Sequence, residues 1–142
     1  MAEYIYNDVQ LIQPGASALL ETAIGCPQGL VLHRPGSGIL TIRGISKNPC
    51  AKFARYRVAY DGNIAIPEGE TVGPISVAIT LDGANVPATE MIVTPAAVEE
   101  FFNVSRAANI GVWRGCCETV TITNTSTIPI AMTNANIVIT RG

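Results

Sequence analysis

Apolar and polar residues alternate with a period of two along most of this chain, and the three-to-four spacing of an amphipathic helix is almost absent. Thr119-Val120-Thr121-Ile122-Thr123 and Ile75-Ser76-Val77-Ala78-Ile79-Thr80-Leu81 alternate cleanly. Tyr56, Val58 and Tyr60 share one face against Arg55, Arg57 and Ala59; Ile137 and Ile139 oppose Asn136, Val138 and Thr140. Successive side chains of a strand point to opposite faces, so these patterns predict half-buried strands, with β-branched Thr, Val and Ile where strands favour them. Turn signals separate them at short intervals: Gln13-Pro14-Gly15, Pro35-Gly36-Ser37-Gly38, Asp61-Gly62-Asn63, Pro67-Glu68-Gly69, Leu81-Asp82-Gly83 and Asn124-Thr125-Ser126. The spacing predicts about ten strands, near residues 3–12, 17–22, 29–34, 38–45, 52–60, 63–66, 74–82, 85–94, 107–114 and 117–140, the last span holding two. One helical turn is expected at residues 95–100, with Thr94 as its cap and Pro95 in its first position. Short strands punctuated this regularly imply an all-β sandwich or barrel.

Composition then constrains assembly. The 142 residues fit one domain, 1–142, with residues 1–45 readable as an N-terminal strand pair docked on the rest. Apolar residues make up 48% of the chain and charged residues only 14%, against about 25% charged in an ordinary soluble domain. We read the excess as subunit interface. The net charge of −2 and the lack of a basic run predict no nucleic-acid partner. No apolar run approaches the roughly 20 residues of a spanning helix, so no membrane partner is expected. Met1 to Asp8 has neither a basic nor an apolar segment of the secretory kind, and no signal peptide is expected.

Candidate chemistry is sparse. The four cysteines at 26, 50, 116 and 117 include no C-x-x-C pair. Three readings stand: buried free thiols, a disulfide between distant strands, or a metal site joining His33 to several thiols. His33 is the single histidine, and a Cys26/His33 dyad is weighed against a structural imidazole at a strand end. Glu99-Glu100 would diverge on a helix. Glu68 and Glu70 are too few for a calcium loop. Pro35-Gly36-Ser37-Gly38 lacks the Lys-Ser/Thr of a phosphate loop. Trp113 reads as core or interface packing ahead of sugar stacking. No catalytic constellation emerges, and neither enzyme activity nor a cofactor is expected.

The segment from Phe53 to Arg141 resembles a family. Tyr56-Arg57-Val58, Gly62 to Pro67, Gly73 to Ile79, Met91 to Val98, Phe102-Asn103-Val104, Gly115-Cys116-Cys117 and Asn134 to Val138 look like small jelly-roll proteins of gut Firmicutes and their phages or prophages. The strand order is also similar to the ten-stranded C1q/TNF-type jelly roll, whose members form compact homotrimers. The resemblance implies a jelly-roll sandwich of about ten antiparallel strands. It further implies a virion protein, a capsid decoration or head-fibre component, assembled as a homotrimer on the capsid exterior after synthesis in the host cytoplasm. Its partners would be further copies of itself and the major capsid protein or another virion protein. The strands with the densest apolar alternation, carrying Ile110, Val112, Val120, Ile122, Ile137 and Ile139, are expected to line the trimer axis. The alternative is a trimeric binding module that recognises a cell-surface glycan or protein through Trp113 and the Asp82-Gly83-Ala84-Asn85 loop.

Overall fold

Two antiparallel sheets face one another in a computed structural model that describes residues 2–20, 22–24, 31–33, 37–45 and 50–141. The strands are β1 (Ala2–Tyr6), β2 (Gln10–Ile12), β3 (Thr22–Ile24), β4 (Val31–His33), β5 (Leu40–Arg43), β6 (Phe53–Ala65), β7 (Ile75–Leu81), β8 (Ala84–Asn85), β9 (Met91–Val93), β10 (Phe102–Trp113), β11 (Cys117–Asn124) and β12 (Ile130–Arg141). The first sheet runs β10-β6-β12-β1-β3, with β2 also on β12; it holds the three long strands. The second runs β4-β5-β11-β7-β8, with β9 on β7. Neighbours within each sheet come from distant parts of the chain, as in a jelly roll. The first 45 residues are woven into both layers, β1 against β12 and β5 against β11.

Alternation decides what each strand buries. Tyr4, Tyr56, Val58, Tyr60 and Ile64 point inward from the long-strand sheet, against Leu40, Ile42, Val77, Ile79, Val120 and Ile122 from the other. Each such aliphatic side chain contributes about 1.5–3 kcal/mol by leaving water. The tyrosines keep their hydroxyls satisfied. Tyr60 Oη donates to Met132 Sδ at 3.1 Å, and Tyr56 Oη donates to Arg43 O at 2.6 Å. Burial, with nearby Asp61 adding to it, drives the Tyr60 hydroxyl far above the ordinary tyrosine range, so it remains a donor. Thr89, on a 3-10 turn over Pro87–Thr89, accepts from Ile79 N at 3.0 Å and donates to Val86 O at 2.7 Å, satisfying β7 where β8 gives out.

Three expectations need correction. Asp61-Gly62-Asn63 is no turn: β6 continues through it as one 13-residue strand. Tyr60 lies over Gly62, where a Cβ would stand 2.5 Å from the tyrosine oxygen. The helical turn expected at 95–100 is absent, and the short helical segment is Pro87–Thr89. Finally, Ile110, Val112, Val120, Ile122, Ile137 and Ile139 do not line an outer axis. All six are at most 8% exposed and belong to the core between the sheets. Dense alternation marks a strand with one fully buried face, and in a two-layer sandwich that face meets the other sheet. A subunit interface on these strands must use the residues between them.

Candidate functional site

Those intervening residues form rows across the outer face of the long-strand sheet. Ala107, Ala59 and Val138 lie abreast on β10, β6 and β12; Ser105, Asp61 and Asn136 form the next row. With Arg106 they border an open groove of about 600 Å³. Its floor is made of small side chains, so a flat partner can approach the backbone closely. Asp61 is held in place by Asn103, whose Nδ2 donates to Asp61 Oδ1 at 2.7 Å.

Toward the other end of the same strands the rows become Asn109 with Arg57 and Thr140, then Gly111 with Arg55, then Trp113 with Phe53. Trp113 and Phe53 pack together with centroids 4.1 Å apart and planes tilted 35°, yet they remain 57% and 39% exposed. Trp113 therefore packs on the surface and not in the core. A second depression of about 220 Å³ sits beside the pair, lined by Phe53, Arg55, Asn109, Ile110 and Gly111. Gly44, just past β5, braces this end. Its N–H donates to Cys116 O at 2.8 Å and its carbonyl accepts from Gly115 N at 3.0 Å. A Cβ there would fall 2.0 Å from Trp113 O. Gly44→Ala must push the β10–β11 turn away from β5, and the expected loss is about 3 kcal/mol. Thermal unfolding followed by circular dichroism measures it; an unchanged midpoint would refute the close approach.

The residues singled out from sequence are mostly occupied with structure. His33 Nε2 donates to Ser37 O at 2.9 Å and its ring packs on Tyr4 at 4.7 Å, as a structural imidazole would. Cys26, Arg34 to Gly36 and Lys47 lie outside the described residues, so the Cys26/His33 pairing does too. Cys116 and Cys117 are free thiols, and they and Cys50 are exposed, which corrects the reading of buried thiols for these three. Among the described residues no three His, Cys, Asp or Glu side chains gather to hold a metal. Asp82 Oδ1 accepts from the Thr119 backbone N–H and hydroxyl, and Asn85 Oδ1 accepts from Thr80 Oγ1. The polar side chains of the 82–85 loop thus hold the sheet together. Asn124 is buried, and its Nδ2 donates to Ile12 O and Ile128 O.

Glu118 is the exception. One carboxylate oxygen is buried with no hydrogen-bond partner. Burial raises its pKa, and the negative charge of Asp82 raises it further. The folded protein then holds this proton more tightly than the unfolded chain does. The resulting stability is present below the unfolded carboxyl range and is lost as pH rises through the raised folded value. Glu118→Gln should melt higher than the parent at pH 7 and converge with it near the acid limb of the curve. A melting difference independent of pH would count against this account.

No protein-family model matches the chain, and no curated protein matches its sequence. Solved structures do match. The globular domain of zebrafish complement 1qA protein aligns with 96% of this chain and 94% of its own, at TM-score 0.60 and 10% identity. Eiger TNF from S. frugiperda aligns with 100% of this chain and 92% of its own, at TM-score 0.66 and 9% identity. The fold is the C1q and TNF jelly roll. At such identities the likeness concerns the path of the backbone and transfers no residue's role. The groove and the Phe53–Trp113 pair must be read from their own chemistry.

Proposed function

We propose that this chain is a non-catalytic, self-assembling jelly-roll module, a homotrimer that joins its copies through the outer face of the long-strand sheet. The observation that carries the reading is the open groove floored by Ala59, Ala107 and Val138 across β6, β10 and β12 of the long-strand sheet. Small apolar residues in a row leave an uncovered surface that a second copy can seal, and closed cyclic symmetry seals it without leaving a surface that grows into fibres. Asp61 and Arg106 on its border provide opposite charges that can pair across subunits. Light scattering on the purified protein tests the assembly. A mass three times the 14.9 kDa chain is expected, and a stable monomer at micromolar concentration overturns it.

The setting we propose is the exterior of a phage capsid, as a decoration or head-fibre protein. Support for it comes from the sequence resemblance of residues 53–141 and from the low charge content. Exposed Val9 and Leu11 on and beside β2 offer an apolar contact for a shell protein. Mass spectrometry of purified virions is the test; particles that never contain the chain would remove the virion role.

A second reading is recognition of a cell-surface glycan or protein by the assembled module. It is favoured by the exposed Phe53–Trp113 pair beside its own depression, because two large rings left in water at one spot mark a contact surface. Loss of host adsorption in Trp113→Ala supports this reading, and unaltered adsorption argues against it.

A further inference from the structure

Six of the seven positive charges among the described residues of this acidic protein are gathered at one end, Arg106 on the middle of β10 being the exception. Among the described residues Arg43, Lys52, Arg55, Arg57, Arg114 and Arg141 all lie at or next to the β6-start, β10-end and β12-end side of the sandwich. Glu68, Glu70, Glu99 and Glu100 lie beyond the opposite ends of β6 and β10. On the outer face Arg55 and Arg57 point the same way as Phe53 and Trp113, since all four hold alternate positions on paired strands. Arg141 is engaged with Tyr56, donating from Nη1 at 2.9 Å and lying over its ring at 5.1 Å. Beyond the backbone ladder, the side chains of Arg55, Arg57 and Asn109 make no hydrogen bond or ion pair among the described residues.

We infer that this end binds a carboxylate-bearing sugar, with the Phe53–Trp113 pair against the sugar ring and Arg55 on the carboxylate. The inference rests on the recognition reading above and specifies its ligand. A pyranose has an apolar face of C–H groups, which an exposed indole and phenyl surface can cover, and a rim of hydroxyls, for which the Asn109 amide supplies both donor and acceptor. The Arg55 guanidinium, exposed at the edge of the depression, can take a carboxylate through two parallel hydrogen bonds. Space is provided by the 220 Å³ depression between Phe53, Arg55, Asn109 and Gly111. Gly111 keeps it open, because a Cβ there would reach to 3.4 Å from Phe53 Cδ1 and begin to fill it.

The same features disfavour a nucleic-acid strand. Binding one requires a positive path over several nucleotides. Here the next outward charge along β6 after Arg57 is Asp61, roughly 13 Å on at the strand rise, and Glu3 on β1 closes the neighbouring direction. The site is compact and suits one acidic ring or a short acidic glycan.

Trp113 is the single tryptophan, so its fluorescence reports directly on this site. The full-length protein is titrated with oligogalacturonate and sialyllactose, with methyl-esterified oligogalacturonate and lactose as uncharged controls and oligo(dT) as a nucleic-acid control. A saturable change with at least one acidic sugar is expected, about tenfold weaker for the uncharged counterpart and about tenfold weaker in Arg55→Gln, as the loss of one charge-assisted pair implies. Gly111→Val, which fills the depression at an exposed position, should remove the response while the far-ultraviolet spectrum stays that of the parent. Silence toward both acidic sugars overturns the inference. Equal binding of charged and uncharged sugars also overturns it, yet leaves glycan recognition standing. A response to oligo(dT) that matches the acidic sugars assigns the end to nucleic acid and overturns it. A Trp113 signal that moves with protein concentration and scattering mass alone shows that a second copy covers the pair, and overturns it as well.

Discussion

Ile137→Asp will leave no folded protein. Ile137 is fully buried in the middle of β12, abreast of Tyr60 on one side and Tyr4 on the other. The substitution removes about 1.5–3 kcal/mol of apolar burial. It then places a carboxyl with no partner among aliphatic and aromatic groups, at a further cost of about 2–7 kcal/mol even when the group takes up a proton. The sum, about 3.5–10 kcal/mol, is comparable with the stability of a typical domain, about 5–15 kcal/mol. Loss of the cooperative melting transition and of the β-sheet circular dichroism is the expected result. A soluble variant with the parent's spectrum and only a smaller scattering mass would show that Ile137 faces a subunit interface, and would refute its place in the core.

Val138→Asp, one residue along, should do the opposite. Val138 points outward beside Ala59 on the groove floor, where water can solvate the new carboxylate in the separate chain. In a trimer joined through this face the variant brings like charges together around the axis, at a cost of several kcal/mol, so self-association should weaken by about a thousandfold. The melting transition survives and the scattering mass falls to the 14.9 kDa of one chain. A variant that keeps the parent's assembled mass would show that this groove is not where the copies meet. Taken together, the two neighbours separate the core face of β12 from the face proposed to meet other copies, by sign of outcome.

The charge pattern also explains why the basic end was invisible along the chain. Arg43, the 52–57 segment, Arg114 and Arg141 are far apart in sequence, with no basic run. Antiparallel pairing of β6 with β10 and β12 sets the start of one strand beside the ends of the other two, and with Arg43 paired to Cys117 at the start of β11 this brings the cations and the Phe53–Trp113 pair together. Trp113, read from its apolar neighbours as a packing residue, is exposed because it closes β10 on the outward parity at the sandwich edge.

Strand character, and the division of each strand into two faces, followed from the amino-acid order itself, because a strand's side chains alternate whatever it packs against. Thr119 to Thr123 and Tyr56 to Tyr60 are strands of the expected parity, whereas Ile75 to Leu81, expected to be half-buried, is a strand buried on both faces, Ser76, Ala78 and Thr80 included. The tight turn at Leu81-Asp82-Gly83 was legible for the same local reason: Asp82 and Gly83 both take positive φ there. Tertiary structure decided which face lies inside, since only the second sheet makes Ile110, Val112, Val120, Ile122, Ile137 and Ile139 core. It also overrode the local turn preference of Asp61-Gly62-Asn63, because pairing on both sides by β10 and β12 and the Tyr60 ring over Gly62 outweigh it. Local rules act between residues a few positions apart. The groove, the aromatic pair and the basic end are made by residues as many as 98 positions apart, Arg43 to Arg141, and no periodicity encodes those meetings.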